Sequence, residues 1–490
     1  MRHHPHLFET NARLFLNRNR RKYRKEMSLV QVPEHEWAAL KRQGFDLVWL
    51  MGVWRRSPGA RGEALRYPGL QLEYDRALPD WTQDDVAGSP YAVYDYRLDP
   101  ALGQPDDLPE IKKRLNSAGL GLILDFVVNH VALDHPWVSS HPGRLVRGLA
   151  ADAARHPDWF YSAEKGLFLA HGRERYFPAW TDTAQLNLFA AETREALAAE
   201  LARITEVADG VRCDMAMLAL NEVFQQIWGE IVRNEPPPAE FWNEIIPAVK
   251  ARKPGFLFLA EAYWGLEGRL RELGFDFTYD KVLYDKLRYA ESPAIRDYIL
   301  SDTRQHRRSV HFIENHDEDR ALAAFGRERS LAAAVAIMTT PGMRLLHEGQ
   351  MEGRRVRVPI QLIRQQDEPT DTEVAMFYRT LLRVVNGDTF HEGDWALVEV
   401  GEAAATDESY RRVLAWRWLY DGNLKIVVVN YSPESARGWL KFPLGLTGEI
   451  ILLDELNGVS YTRSGKELAS RGLYIALGPY RTHVLAANLR

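Results

Sequence analysis

Cysteine is almost missing from this chain. Cys213 stands alone, so no intrachain disulfide can form and no thiolate zinc site of the usual kind can be built. A reducing compartment fits that usage, and a cytoplasmic location is expected. Also missing are a run of the ~18 apolar residues that a membrane span needs and an apolar N-terminal core followed by a small-residue cleavage site. The formal net charge of −5 offers no surplus of basic charge to a polyanion. The one basic run, Arg18 to Lys25, has neither an aromatic stacking platform nor a second basic cluster beside it and reads as a solvated helix or loop face. His3, His4 and His6 read as a mobile end. Neither nucleic acid nor membrane is expected as a partner.

What is present is an ordinary globular composition, 46% hydrophobic and 26% charged, over 490 residues. That length accommodates a barrel of about 250 residues with insertions and a smaller second domain. Nearly continuous apolar runs at 45–53 and 120–128 suit strands buried on both faces, and residues 7–16 have strand-like content too. Between them, 34–43 and 106–118 carry helical spacing, each closed by a glycine. Helix and strand then alternate through 193–207, 210–216, 221–232, 255–262, 266–273, 275–283, 309–316, 330–338, 343–347 and 373–385. About eight strands alternating with helices favour an α/β fold whose parallel sheet closes into a barrel.

Residues 57–107 read as one long functional loop, and 131–190, dense in His, Trp, Phe and Tyr, as an inserted loop subdomain. From residue 386 the pattern changes to short strands at 413–419, 425–430, 438–442, 449–453, 473–477 and 483–487, with a hairpin turn signal at Asp421-Gly422-Asn423. The expected division is a barrel over 1–130 and 191–385, the insertion at 131–190, and a C-terminal antiparallel β-sandwich over 386–490.

The stretch Gly210-Val211-Arg212-Cys213-Asp214 puts an Arg and an Asp two apart in an apolar strand, hence on one face. Such a pair is either a buried structural ion pair or a working site. Strand ends elsewhere bear on the choice, because the C-terminal rim of such a barrel carries its chemistry. Asp125 and His130, Arg212 and Asp214, Glu261, and His316 and Asp317 all fall there. Glycoside cleavage needs one carboxylate to attack or shield an oxocarbenium-like centre and a protonated one to donate to the leaving oxygen. Asp214 and Glu261 can supply both, with Arg212 expected to hold Asp214 ionised and burial expected to raise Glu261.

Four segments in order, Asp125-Phe126-Val127-Val128-Asn129-His130, Gly210 to Asp214, Leu259-Ala260-Glu261 and Phe312-Ile313-Glu314-Asn315-His316-Asp317, resemble the signatures of the α-amylase family of glycoside hydrolases (family 13, retaining). Gln185-Leu186-Asn187-Leu188 is similar to a fifth, and Asp134-His135-Pro136-Trp137 resembles the glucosidase and trehalose synthase branch. The resemblance spans roughly residues 7 to 490. It implies a (β/α)8 TIM barrel, a loop subdomain after strand 3 and a C-terminal β-sandwich. It also implies a nucleophile at Asp214, an acid and base at Glu261, and a carboxylate at Asp317 that engages sugar hydroxyls. Arg212, His130 and His316 would hold the cleaved sugar, and Tyr91 would stack on it. Trp54, Trp81, Phe177, Trp180 and Trp264 are further candidate sugar platforms.

Departures from the family pattern set the remaining expectations. Met217 and Leu218 stand where many amylases carry a Lys-His pair, and they would make the acceptor side less polar. Asn129 matches a calcium ligand of many members, yet the insertion lacks the carboxylate density a hard cation wants. No metal ligand is therefore assigned and no cofactor is expected as a requirement; calcium is left open. The expected substrate is an α-glucan or small α-glucoside, with transfer or isomerisation as the alternative to hydrolysis. A non-catalytic sugar-binding scaffold and a phosphate-binding barrel are the rivals; for the latter, Gly349 and Gly353 are too sparse.

Overall fold

The computed structural model describes residues 2–163, 166–301, 303–441 and 447–489. Its centre is a closed barrel of strands β1 (His6–Asn11), β2 (Leu47–Met51), β3 (Gly121–Val127), β4 (Gly210–Asp214), β5 (Leu257–Ala260), β6 (Phe277–Tyr279), β7 (Ser309–His311) and β8 (Met343–His347). Every neighbouring pair is parallel, and β1 bonds to both β2 and β8. Parallel neighbours require crossovers, which helices such as Ala191–Val207, Phe241–Arg252 and Arg327–Thr339 provide. Helices outside and packed side chains inside bury both faces of β2 and β3, which is why these strands read as continuous apolar runs rather than alternating ones.

Several expectations needed revision. The first strand ends at Asn11, whose side chain accepts from the Arg13 and Leu14 amides and starts the helix Ala12–Tyr23. The basic run lies on that helix up to Lys22, with Arg24 and Lys25 just past its end; Arg21 pairs with Asp367 at 3.1 Å and Lys22 with Glu36. His4 and His6 are buried, not mobile: the His4 ring packs on Trp418 and His6 opens β1. Residues 57–107 are no simple loop, since they hold the helices Pro58–Arg66 and Pro68–Ala77 and the strand Val93–Leu98, which pairs with Trp54–Arg56 just ahead of them. Pro58 and Pro68 each occupy a helix first position, where proline's fixed φ and missing N–H do no harm, although in sequence they read as breakers. Helix Phe241–Arg252 escapes the sequence reading because Pro247 lies inside it; its buried Trp242, Ile245, Ile246 and Val249 hold it in place.

The insertion after β3 carries small antiparallel sheets, one joining His130–Ala132 to Thr183–Gln185 and one of three strands over 147–170. Beyond the barrel lie antiparallel sheets of six and three strands, in which Val413–Tyr420 and Asn423–Asn430 meet at the expected hairpin. Asp421 and Gly422 there both have positive φ, as a type I′ turn requires. The strand expected at 438–442 runs Ala436–Lys441; Phe442 lies outside the described residues. Indole N–H groups tie these sheets to the barrel: Trp416 donates to the Thr339 hydroxyl at 3.2 Å and Trp418 to the Thr339 carbonyl at 2.7 Å. Among the described residues, no helix is long and apolar enough to cross a membrane.

Candidate active site

Arg212 and Asp214 share the inward face of β4, and the register sets Arg212 beside Asp125 of β3 and Leu259 of β5. Two residues past Leu259 comes Glu261, just beyond the end of β5. Arg212 Nη1 donates to Asp214 Oδ1 at 2.6 Å, Nη2 lies 2.6 Å from Glu261 Oε2, and Nη1 is 4.0 Å from Asp125 Oδ1. The guanidinium is 1% exposed and ringed by Trp49, Tyr91 and Tyr279, whose ring centroids lie 5.2, 5.0 and 5.7 Å from its carbon. One buried cation thus serves three buried carboxylates, and cation–π contact covers its faces.

Glu261 Oε2 also accepts the Met215 amide at 2.8 Å, and Oε1 accepts the Tyr263 hydroxyl at 2.8 Å. Met215 holds φ at 42°, a left-handed conformation a side-chain-bearing residue rarely adopts, and Trp264 at 65° repeats it on the facing turn. Strain is stored where the turn aims its amide at the carboxylate.

His316 bridges two elements. Its Nδ1 lies 2.5 Å from Glu9 Oε1 on β1, and its Nε2 lies 2.8 Å from the Tyr91 hydroxyl and 3.0 Å from Asp317 Oδ2. Asp317 sits at the cleft mouth with 45% of its side chain exposed, so solvent moderates whatever its buried neighbours impose on it.

Burial dominates the titration of these groups. It raises Glu261 to about 7 against the opposing charge of Arg212, and lifts Asp125 to about 6. It raises Asp214 as well, countered by the charge and hydrogen bond of Arg212. Arg212 acts in the expected direction, favouring ionised Asp214, but burial outweighs it and the net shift is upward. For His316, burial opposes the charged form but Asp317 and Glu9 outweigh it, leaving an imidazolium. Asp317 is lowered to about 2, its desolvation overcome by His316. His130, without such partners, is lowered to about 4 by burial and is neutral at pH 7.

Asp214, Glu261, Asp317, His130 and Tyr91 line one cleft of about 580 Å³, together with Met215, Tyr263 and Lys281. Arg212 and His316 stand directly behind it. Of the proposed platforms, Phe177, Trp180 and Trp264 line this cleft. Trp54 does not: it is 1% exposed and its indole donates to the Asp125 carbonyl at 2.7 Å. Trp81 packs on Tyr74 and donates to Asp75. Met217 and Leu218 are buried at 0% and 1% in a tight turn, so the less polar acceptor side expected of them is not theirs to make; Met215 faces the cleft instead. A larger hollow of about 810 Å³ lies at the opposite barrel end around Arg2, Asp46 and Asp209, away from all of these groups.

Asn129 and Gln185 pair reciprocally, Asn129 Nδ2 donating to Gln185 Oε1 at 3.2 Å and Gln185 Nε2 to Asn129 Oδ1 at 3.0 Å. The pairing engages Asn129 Oδ1, the oxygen that would face a calcium ion.

Glu9, Tyr263, Tyr279 and Met215 were not singled out in sequence. Glu9 carried the usable signal, a carboxylate directly after the apolar Leu7-Phe8 pair, in a strand buried throughout the fold.

A parallel eight-stranded barrel with acidic groups gathered at its C-terminal rim defines the class. Residues 40–417 match the model of the alpha-amylase catalytic domain, and the chain belongs to the alpha-amylase family. It is 27% identical over 390 residues to alpha-amylase MalA of Haloarcula japonica, covering 77% of this chain and 52% of that protein. It is also 27% identical over 248 residues to an alpha-1,4-glucan:maltose-1-phosphate maltosyltransferase of Streptomyces coelicolor, covering 49% of this chain and 30% of that one. The chain therefore spans about half or less of the length of these relatives. Among solved structures, the maltogenic alpha-amylase AmyB of Thermotoga neapolitana matches over 99% of both chains with a TM-score of 0.69 at 19% identity, a likeness of fold.

Proposed function

We propose that this protein is a retaining glycosidase that cleaves α-glucosidic bonds of oligo- or polysaccharides by double displacement. The observation that carries the reading is the shared guanidinium: Arg212 holds Asp214 and Glu261 at one cleft wall but completes a hydrogen bond only with Asp214. Asp214 then remains the anionic partner, while Glu261, at about 7, is protonated in a large fraction of molecules at neutral pH.

Glu261 donates its proton to the glycosidic oxygen as that bond breaks, and Asp214 attacks the anomeric carbon to form a covalent glycosyl-enzyme. Ionised Glu261 next takes a proton from the incoming acceptor, whose oxygen displaces Asp214. Asp317 engages ring hydroxyls beside the charged His316; His130 and Tyr91 hold the sugar in the cleft. The division into a barrel over 1–130 and 191–385, an insertion and a C-terminal sandwich belongs to the same reading. So does a cytoplasmic location, supported by the single, buried, unpaired Cys213.

Water as acceptor makes a hydrolase and a sugar makes a transferase; the match to a maltosyltransferase supports testing both. Product analysis by NMR on maltooligosaccharides, sucrose and trehalose is the test. An initial α-anomer supports the reading. A β-anomer, or no turnover of any α-glucoside, rejects it.

A further inference from the structure

Where β6 meets β7, three buried polar groups take no part in the cleft. Asp280 follows β6, His311 ends β7, and His306 closes the short helix Thr303–His306 just ahead of it. They are 3%, 0% and 3% exposed. His311 Nδ1 and His306 Nδ1 lie 3.0 and 3.7 Å from Asp280 Oδ2, and the three atoms all fall within 4.8 Å of one another. None of these three atoms has a hydrogen-bond partner among the described residues.

The other polar atoms of the same side chains are engaged. His311 Nε2 meets the Pro341 carbonyl at 2.8 Å, and His306 Nε2 the Tyr298 carbonyl at 3.3 Å. Asp280 Oδ1 accepts the Leu283 amide at 3.0 Å and the Tyr298 hydroxyl at 2.6 Å. A carbonyl only accepts, so each Nε2 carries the ring proton. In a neutral ring Nδ1 then presents a lone pair, and two such lone pairs converge on a carboxylate oxygen. The arrangement is repulsive unless positive charge occupies the space between them, either as a proton on each ring or as a metal cation.

We propose that Asp280, His306 and His311 form a binding site for a divalent transition metal, zinc foremost. Two imidazole nitrogens and one carboxylate oxygen are donors that suit zinc, whereas calcium and magnesium favour oxygen alone. A tetrahedron with bonds of about 2.1 Å has edges of about 3.4 Å, which the two observed nitrogen-to-oxygen distances bracket. The carbonyls at the far nitrogens fix tautomer and ring orientation, as the outer partners of metal-bound histidines do.

Bound there, the cation braces the rim from outside the chemistry. It joins β6, β7 and the helix between them, one residue from Tyr279, whose hydroxyl lies 3.3 Å from Arg212 Nε, and one from Lys281 of the cleft.

The test uses the whole chain, produced in zinc-supplemented medium, desalted, and measured for metal content and thermal unfolding. About one equivalent of zinc is expected, with a lower Tm after prolonged dialysis against a chelator. H306Q and H311N should each retain at least about tenfold less zinc and lose the chelator-sensitive part of the Tm. Cobalt-loaded protein should show the visible absorption of tetrahedral cobalt, absent from both variants. Wild-type protein without zinc, even after refolding in excess zinc chloride, overturns the proposal. Zinc content equal in wild type and both variants overturns it as well, because the metal is then held elsewhere.

Discussion

Glu9 Oε1 stands 2.5 Å from Nδ1 of His316, tying the first barrel strand to the segment after the seventh. The carboxylate is fully buried; together with Asp317, the larger influence, it keeps the imidazole charged, and it orients the ring so that Nε2 faces Tyr91 and Asp317. Glu9 therefore acts as a positioning residue. Glu9→Gln keeps the shape but removes the charge, so His316 should lose its proton at a lower pH. We expect kcat to fall by about ten- to a hundredfold, with the His316 ring resonances in NMR titrating at a lower pH in the variant than in the wild type.

Asp214→Asn and Glu261→Gln should each reduce turnover of maltooligosaccharides by at least about a thousandfold, within the range ascribed to lost general acid or nucleophilic groups. They should differ on an activated aryl α-glucoside. There the leaving group needs no proton, so Glu261→Gln should still form the glycosyl-enzyme and Asp214→Asn should not. Intact-mass spectrometry of the trapped intermediate reads the difference, and near-wild-type activity in either variant sinks the assignment.

Acid catalysis by Glu261 requires its protonated form. With burial raising it to about 7, kcat/KM should decline as pH rises through that value, and the decline should vanish in Glu261→Gln. The same shift bears on stability. Its folded pKa exceeds the ordinary 4.5, so the fold binds more protons than the unfolded chain between 4.5 and about 7. That contribution is full below 4.5 and lost as pH climbs through 7. Wild-type Tm should fall over this window more steeply than that of Glu261→Gln.

Removing Arg212 leaves Asp125, Asp214 and Glu261 buried without the guanidinium they share. Arg212→Met should destabilise the fold by about 3–5 kcal/mol at neutral pH, the range for breaking a buried pair. Acidification should restore part of the loss, since protonated carboxyls no longer need the guanidinium. Denaturant unfolding at pH 7.5 and pH 5 measures both, and an equal penalty at the two values contradicts the account.

Trp418 donates to the Thr339 carbonyl at 2.7 Å while its ring packs on His4 and Phe390. Trp418→Ala should cost about 3–5 kcal/mol, the range for emptying a buried aromatic site. The melt should broaden or split as the terminal sheets uncouple from the barrel, as calorimetry would show.

Periodicity and local chemistry made much of this protein readable from its residues. Apolar runs marked β2 and β3, the spacing of Arg212 and Asp214 put them on one face, and the family signatures assembled Asp214, Glu261 and Asp317 in order. These are short-range properties, written within one strand or its end. Other features depend on where distant segments meet. Glu9 and His316 are 307 residues apart in the chain and touch only because the barrel closes. Arg212 is shared with Glu261 across two strands, and closure of the barrel buries Asp214 deeply enough that desolvation raises it despite the guanidinium. Met217 and Leu218 follow the signature of β4 but turn inward, because the left-handed Met215 redirects the backbone just past the strand. Asp280, His306 and His311 carry no recognisable spacing and converge through the pairing of β6 with β7 and the helix Thr303–His306 ahead of β7. Sequence sets which side chains stand on a strand's inner face, since alternation is local; closure of the sheet decides which of them share a charge, because that is a distance between elements.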